Sequence, residues 1–232
     1  MVQNYNDFVE ALLSAGFSMG GGNTDGIYAI IDWGWNETPP YETPIAWHTD
    51  NPETDPWEWR MRVLNERNDI AYAKLFFKKS GFITKEWYPY FLVARRGGTS
   101  FDEAYDGGTI SHSAKRIYDV VSENGATASH IIKRMAGFTK EDKSAFDRAL
   151  TELQMRMFLT MCGRAYKSAV QEETGNAWAS TVLCTTESFF DNEVFELAEK
   201  ISKDDAMYKI KEQVLLLNPS AQDKKIKKFI LG

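Results

Sequence analysis

The sequence is short of the residues that build metal sites and covalent cross-links. Its 232 residues include two cysteines, Cys162 and Cys184, and three histidines, His48, His112 and His130. There is no C-x-x-C pair, so a structural zinc site, which needs four nitrogen or sulfur ligands at short spacing, is not expected. The two cysteines fall one on each strand of a predicted hairpin and read as free thiols in a reducing compartment. No apolar run is long enough to span a bilayer, and the first residues lack a signal-peptide pattern. The expectation is therefore a cytoplasmic protein with no membrane partner. Three consecutive glycines, Gly20 to Gly22, suggest a phosphate-cradling loop, but neither G-K-[ST] nor a helix follows them. They read instead as a turn, or as a gap through which another group approaches the backbone. Internal repeats and low-complexity segments are absent.

Positive charge is almost missing from the first quarter of the chain. Residues 1–60 hold ten Asp or Glu against one basic residue, Arg60, for a local net of −9. The whole chain carries −6, so the balance must reverse further on. It does so in residues 111–168, with ten Lys or Arg against six acids, a local net of +4. A basic island in an acidic chain is what phosphate contact requires, and its modest size predicts weak, salt-sensitive affinity for random duplex.

That island coincides with an ordered pattern of elements. SHSAKRIYDVVSEN, TASHIIKRMA and TKEDKSAFDRALTELQMR read as three helices, and MFLTMCGR and WASTVLCTT as two strands. In the first helix Ala114, Ile117, Val120 and Val121 make one apolar stripe, with Ser111 or Ser113 as cap and Gly125 at the end. The second is expected to bury Ile131, Ile132 and Met135. Gly-Phe-Thr then turns the chain into the third, whose start is read at the T-x-x-D pair Thr139 and Asp142. Helix, helix, helix, hairpin is the order of a winged helix, whose third helix reads base edges from its N-terminal part. Phe146, Ala149, Leu150, Leu153 and Met157 are expected inside. Lys140, Ser144 and Arg148, spaced four apart, would then share an outer face with Lys143 and Thr151. Arg164 and Lys167 stand at one shoulder of the wing, with Glu172 and Glu173 further along. The predicted DNA contacts are thus Lys140, Lys143, Ser144, Arg148, Thr151, Arg164 and Lys167.

Around this module lie two other regions. Residues 1–109 read as an N-terminal α+β region: a helix over Tyr5 to Ala15, a strand over Ile27 to Trp33, and a Pro- and acid-rich arm over Asn36 to Pro56 pinned by Trp33, Trp35 and Trp47. A helix from Pro56 follows, then two strands around a Lys-Lys-Ser-Gly turn, an aromatic helix interrupted by Pro89, and a short helix SFDEAYDGG. Residues 191–232 read as a helical extension. Its last helix, capped at Ser220, carries Lys224, Lys225, Lys227 and Lys228. The fold class is α+β, mainly helical: a winged helix-turn-helix core over 110–190, the aromatic N-terminal region, and the C-terminal helices.

The run DPWEWRMRVLNERNDIAYAKLFFKKSGFITKEWYPYFLVARRGG, with the later FDRALTELQMRMFLTMCGR, resembles bacterial proteins described as AlkZ-related. The likeness is read over Asp55 to Phe190. That group takes its name from DNA glycosylases that remove alkylated or crosslinked bases. The resemblance implies tandem winged helices, duplex DNA as partner and neither metal nor organic cofactor. The glycosylases carry Gln-x-Gln or Gln-x-Asp, and this chain has neither; its glutamines are Gln3, Gln154, Gln171, Gln213 and Gln222.

Base excision needs a carboxylate or amide to hold water and gains from an aromatic surface. Asp32, beside Trp33 and Trp35, and Asp55, beside Trp57, have the right types and are the catalytic candidates. Three readings follow: a DNA-binding winged helix for repair or damage recognition; an active excision enzyme using one of those acids; or an interaction or ligand-sensing module whose winged helix only packs. The first is preferred.

Overall fold

The computed structural model describes residues 1–165 and 180–232. Lys167, Gln171 and the wing glutamates lie outside the described residues. The helices are α1 (Tyr5–Ala15), α2 (Pro56–Glu66), α3 (Tyr88–Arg96), α4 (Phe101–Asp106), α5 (His112–Asn124), α6 (Ser129–Met135), α7 (Lys143–Met155), α8 (Thr186–Phe189), α9 (Asn192–Glu199), α10 (Lys203–Leu217) and α11 (Asp223–Leu231). The strands are β1 (Phe17–Met19), β2 (Ile70–Phe76), β3 (Lys79–Thr84), β4 (Thr127–Ala128), β5 (Leu159–Ala165) and β6 (Ser180–Thr185). All six join one antiparallel sheet in the order β1-β3-β2-β5-β6-β4, which establishes the α+β class. Its two halves meet at Tyr72 opposite Met161.

Strand β2 explains its own sequence. Ile70 and Tyr72 face one apolar cluster with Phe8, Leu12 and Trp59, while Ala71, Ala73 and Leu75 face another with Phe91, Ile210 and Phe229. A strand covered on both sides reads as a continuous apolar run rather than an alternation. A third cluster lies among α4, α5, α6, α7 and the β5–β6 hairpin, around Ile117, Ile132, Phe146, Leu153 and Leu183. Cys184 is buried on β6, Cys162 is half-buried at the bulge in β5, and both thiols are free.

Local chemistry sets most boundaries. Asp55 caps α2 ahead of Pro56, Ser111 caps α5 by accepting from the Ala114 N–H, and Ser100 with Glu103 forms a capping box on α4. Several expectations are corrected. Residues 27–33 bury Ile27, Ala29, Ile31 and Trp33 alternately, as a strand would, yet form no ladder. The Ile30 N–H donates instead to the Ser18 hydroxyl, at 3.0 Å. The β2–β3 turn is Phe77–Lys78, not Lys-Lys-Ser-Gly, and Gly81 lies within β3. Pro89 opens α3 rather than interrupting it. Met135 is exposed, and Thr127–Ala128 form a strand paired with β6 before α6 begins. Gln222, not Ser220, occupies the cap of α11, since Ser220 binds back to Asn218. Gly20 meets the expectation of a close approach: a Cβ there would lie 2.8 Å from the Ser80 carbonyl oxygen.

Candidate nucleic-acid interface

Helix α7 begins three residues later than the T-x-x-D pattern implies. The Asp142 carboxylate accepts from both the backbone N–H and the hydroxyl of Thr139, each at 2.8 Å. Those bonds hold its pKa below the usual range and close a turn over residues 139–142, so the helical rise starts only at Lys143. Lys140 therefore sits in the turn, off the face that carries Ser144 and Arg148.

The inner side of α7 buries Phe146, Ala149, Leu153 and Gln154. Gln154 uses both ends of its amide: Oε1 accepts from the Lys74 N–H at 3.0 Å, and Nε2 donates to the Leu150 carbonyl at 2.9 Å. The β2–β5 pairing is limited to Tyr72 opposite Met161, and two residues further on this amide serves the Lys74 N–H. It also fixes α7 against β2 and thereby sets the width of a groove. The groove has a volume of about 970 Å³.

Of the predicted contacts, Lys143, Ser144, Arg148 and Thr151 all line this groove. Ser144 accepts from Arg148 Nη1 at 3.1 Å and so steadies the guanidinium one turn on, while the Thr151 hydroxyl donates to the Asp147 carbonyl. Lys140 is not in the lining. Arg164 lies on β5 beside Arg60 of α2, close enough to contribute repulsion to the lowered pKa of that arginine, whose main cause is burial. Four further lining cations were not read from the sequence: Lys74, Lys78 and Arg95 from β2, its turn and α3, and Arg156 at the end of α7. Against them stand Glu141, Asp147 and Glu152, and Glu152 is already engaged with the N–H and hydroxyl of Ser111. Among the described residues, Lys74, Lys78, Lys143, Arg148 and Arg156 belong to no ion pair.

Lys78 reaches the groove from a turn in which it and Phe77 both have positive φ, 65° and 51°. Such two-residue turns match the twist of the strands but favour Asn and Gly. A side chain in the left-handed region costs about 1–2 kcal/mol, and glycine's extra freedom when unfolded offsets part of any relief. Lys78→Gly is therefore expected to raise stability by roughly 0.5 kcal/mol while removing a groove cation. A thermal melt checks the first half; a lower Tm would mean that the lysine stem holds the turn.

The two acidic candidates fall elsewhere. Asp55 is wholly buried, with Oδ1 accepting from the Trp57 N–H and Oδ2 from those of Thr49 and Asp50, at 2.8 to 3.1 Å. Asp32 is exposed and borders a separate cleft of about 480 Å³ with Asn218 and Lys225. Neither lines the groove beside α7. Among the described residues no cluster of His, Cys, Asp or Glu is arranged to hold a metal ion, and no helix is long and apolar enough to cross a membrane.

What the coordinates define is an α+β protein with one cation-rich groove along an exposed helix. The chain belongs to the AlkZ-related family: the model of that family, described as AlkZ related, matches residues 2–231, well beyond the stretch that carries the visible likeness. Comparison with curated proteins and with solved structures returns no match.

Proposed function

We propose that this protein binds double-stranded DNA through a winged helix-turn-helix over residues 110–190, in repair or damage recognition. Residues 1–109 and 191–232 form the flanking regions of that unit. The observation that carries the reading is the convergence of Lys74, Lys78, Lys143, Arg148 and Arg156 on one groove without ion-pair partners among the described residues. Unpaired cations on a shared surface favour a polyanion, because neutralising phosphates releases condensed counterions. The order α5, α6, α7, β5, β6 supports the winged helix, with β4 pairing on β6. Family membership supports a relation to DNA-glycosylase-like proteins. Lys143, Ser144 and Arg148 lie in the N-terminal part of α7, the part of such a helix that faces the duplex.

The reading stops at binding. Gln154 is consumed in packing, Gln213 donates to the Ala15 carbonyl, and Asp55 is a helix cap. Fluorescence anisotropy with a labelled duplex at several salt concentrations is the test. Arg148→Ala is expected to weaken binding about tenfold and to flatten the salt slope by about one. Absence of duplex binding even at low salt would overturn the reading.

A further inference from the structure

The acidic arm holds a second site that the α7 groove does not use. Trp35, Trp47 and Trp57 line a cleft of about 190 Å³ together with Arg60, Tyr72 and Lys79, and it shares no lining residue with the groove. The arrangement starts from Asp55. By accepting from the Thr49 and Asp50 N–H groups as well as capping α2, its carboxylate draws the arm over the start of that helix. The chain complies by taking left-handed φ at His48 (59°) and Asp50 (58°), two residue types that tolerate it. The His48 ring is thereby set against Trp57 at 4.8 Å and Trp35 at 6.0 Å. On the other side Gly21 makes room for Trp47: a Cβ there would come within 2.4 Å of the indole, and the backbone φ of 155° suits glycine.

These rings are not spent on a core. Trp35 is 70% exposed and Trp57 40%, while the Trp47 indole N–H is buried with no acceptor among the described residues. Large, wet aromatic surfaces grouped in one place mark a binding surface more often than scattered exposed residues do. The cations say what kind. The Arg60 guanidinium lies 3.3 Å from the centroid of the Trp57 ring, donates from Nε to the Trp57 carbonyl at 2.7 Å, and enters no ion pair among the described residues. Lys79 is neutralised by Asp25, and no carboxylate lines the cleft. Of the nearby acids, Glu53 is engaged with Arg62 and Glu37 with the Gly34 N–H, while Glu58 lies close enough to Arg60 to favour its charge without pairing with it. At about 190 Å³ the cleft is smaller than the ~300 Å³ from which small-molecule sites begin. It has room for one planar ring of something larger, and Arg60, which no carboxylate pairs, selects a ring carried on an anionic chain.

We propose that this cleft binds an unpaired base of single-stranded nucleic acid, the base stacking on Trp35 and the flanking phosphate held by Arg60. Stacking on aromatic platforms beside basic side chains is how strands are held without sequence preference. The site stands independently of duplex binding by α7.

The test titrates the full chain with a labelled oligothymidylate and, separately, with a duplex of equal length, at low salt. The single strand is expected to bind and to quench tryptophan emission. Trp35→Ala is expected to weaken that binding roughly five- to a hundredfold, with Trp35→Phe retaining most of it, and to leave duplex affinity unchanged. Because Trp35 is mostly exposed, its replacement leaves the core intact, which an unchanged thermal melt verifies. Arg148→Ala is expected to do the reverse, so failure of duplex binding alone would count against the α7 groove and not against this cleft. The proposal is overturned if the oligomer does not bind, if Trp35→Ala binds it as the parent does, or if thymidine monophosphate displaces it at equal concentration.

Discussion

Replacing Arg95 by methionine is expected to lower the melting temperature by about 10 °C or more. Arg95 lies at the end of α3, half-buried at the edge of the groove, and its guanidinium makes four bonds to main-chain oxygens. Nε donates to Ile230 and Nη2 to Phe229, while Nη1 donates to both Leu75 and Met155, all at 2.8 to 2.9 Å. Those oxygens belong to β2 and to the last turns of α7 and α11, where helices leave carbonyls unmatched and present their negative dipole ends. A half-buried cation here is thus compensated by carbonyl groups and not by a carboxylate. Burial pushes its pKa down to about 9, which still leaves it charged at neutral pH. Methionine fills similar volume but leaves four buried acceptors, at about 1–3 kcal/mol each when no water replaces the donor. A loss of about 4 kcal/mol is a large part of the ~5–15 kcal/mol that holds a typical domain. Arg95→Lys should recover only part, since an ammonium cannot span the fork. A melting temperature within about 2 °C of the parent for Arg95→Met would show that these carbonyls find other donors.

The same residue shows where sequence reading stops. A basic residue in the last turn of a helix is an ordinary surface feature, and nothing in VARRGG distinguishes Arg95, which binds four main-chain oxygens, from its neighbour Arg96, which pairs with Glu187. What could be read were features with local causes. The apolar stripe of α5, its Ser111 cap, Pro56 at the first turn of α2 and the break at Asn218-Pro219 all appear where expected. What misled had the same local signature but a different partner. Residues 27–33 alternate like a strand, yet a serine hydroxyl replaces the ladder. Phe77-Lys78 forms a turn with none of the residues that advertise one. Asp55 has the chemistry of a catalytic acid, but an aspartate directly before a proline-led helix is also a capping signature, and that role takes both oxygens. Of the groove, the α7 side followed from helical periodicity. The Lys74 and Lys78 side depended on packing of β2 against α7 across 80 residues of sequence, which no local pattern encodes.

That two-sided construction governs the second large effect, the response of duplex binding to charge removal. With Lys74, Lys78, Lys143, Arg148 and Arg156 each meeting a phosphate, the salt slope of log affinity is expected near −4.5, and raising salt from 50 to 200 mM should cost roughly five-hundredfold in affinity. Neutralising the five in turn should flatten the slope by about 0.9 each, until the fully neutralised protein binds duplex weakly and almost independently of salt. Lys140→Ala, in the turn outside the groove, is expected to change the slope less than any of the five. The C-terminal lysines supply the opposing case. Lys225 borders the cleft that contains Asp32, and Lys228 extends over the Phe77 ring, so neither adds to the α7 groove. Equilibrium titrations of the two sets of variants across salt decide between them. If neutralising Lys224, Lys225, Lys227 and Lys228 flattened the slope while Lys143→Ala and Arg148→Ala did not, the duplex would be meeting α11, and α7 would be a packing helix.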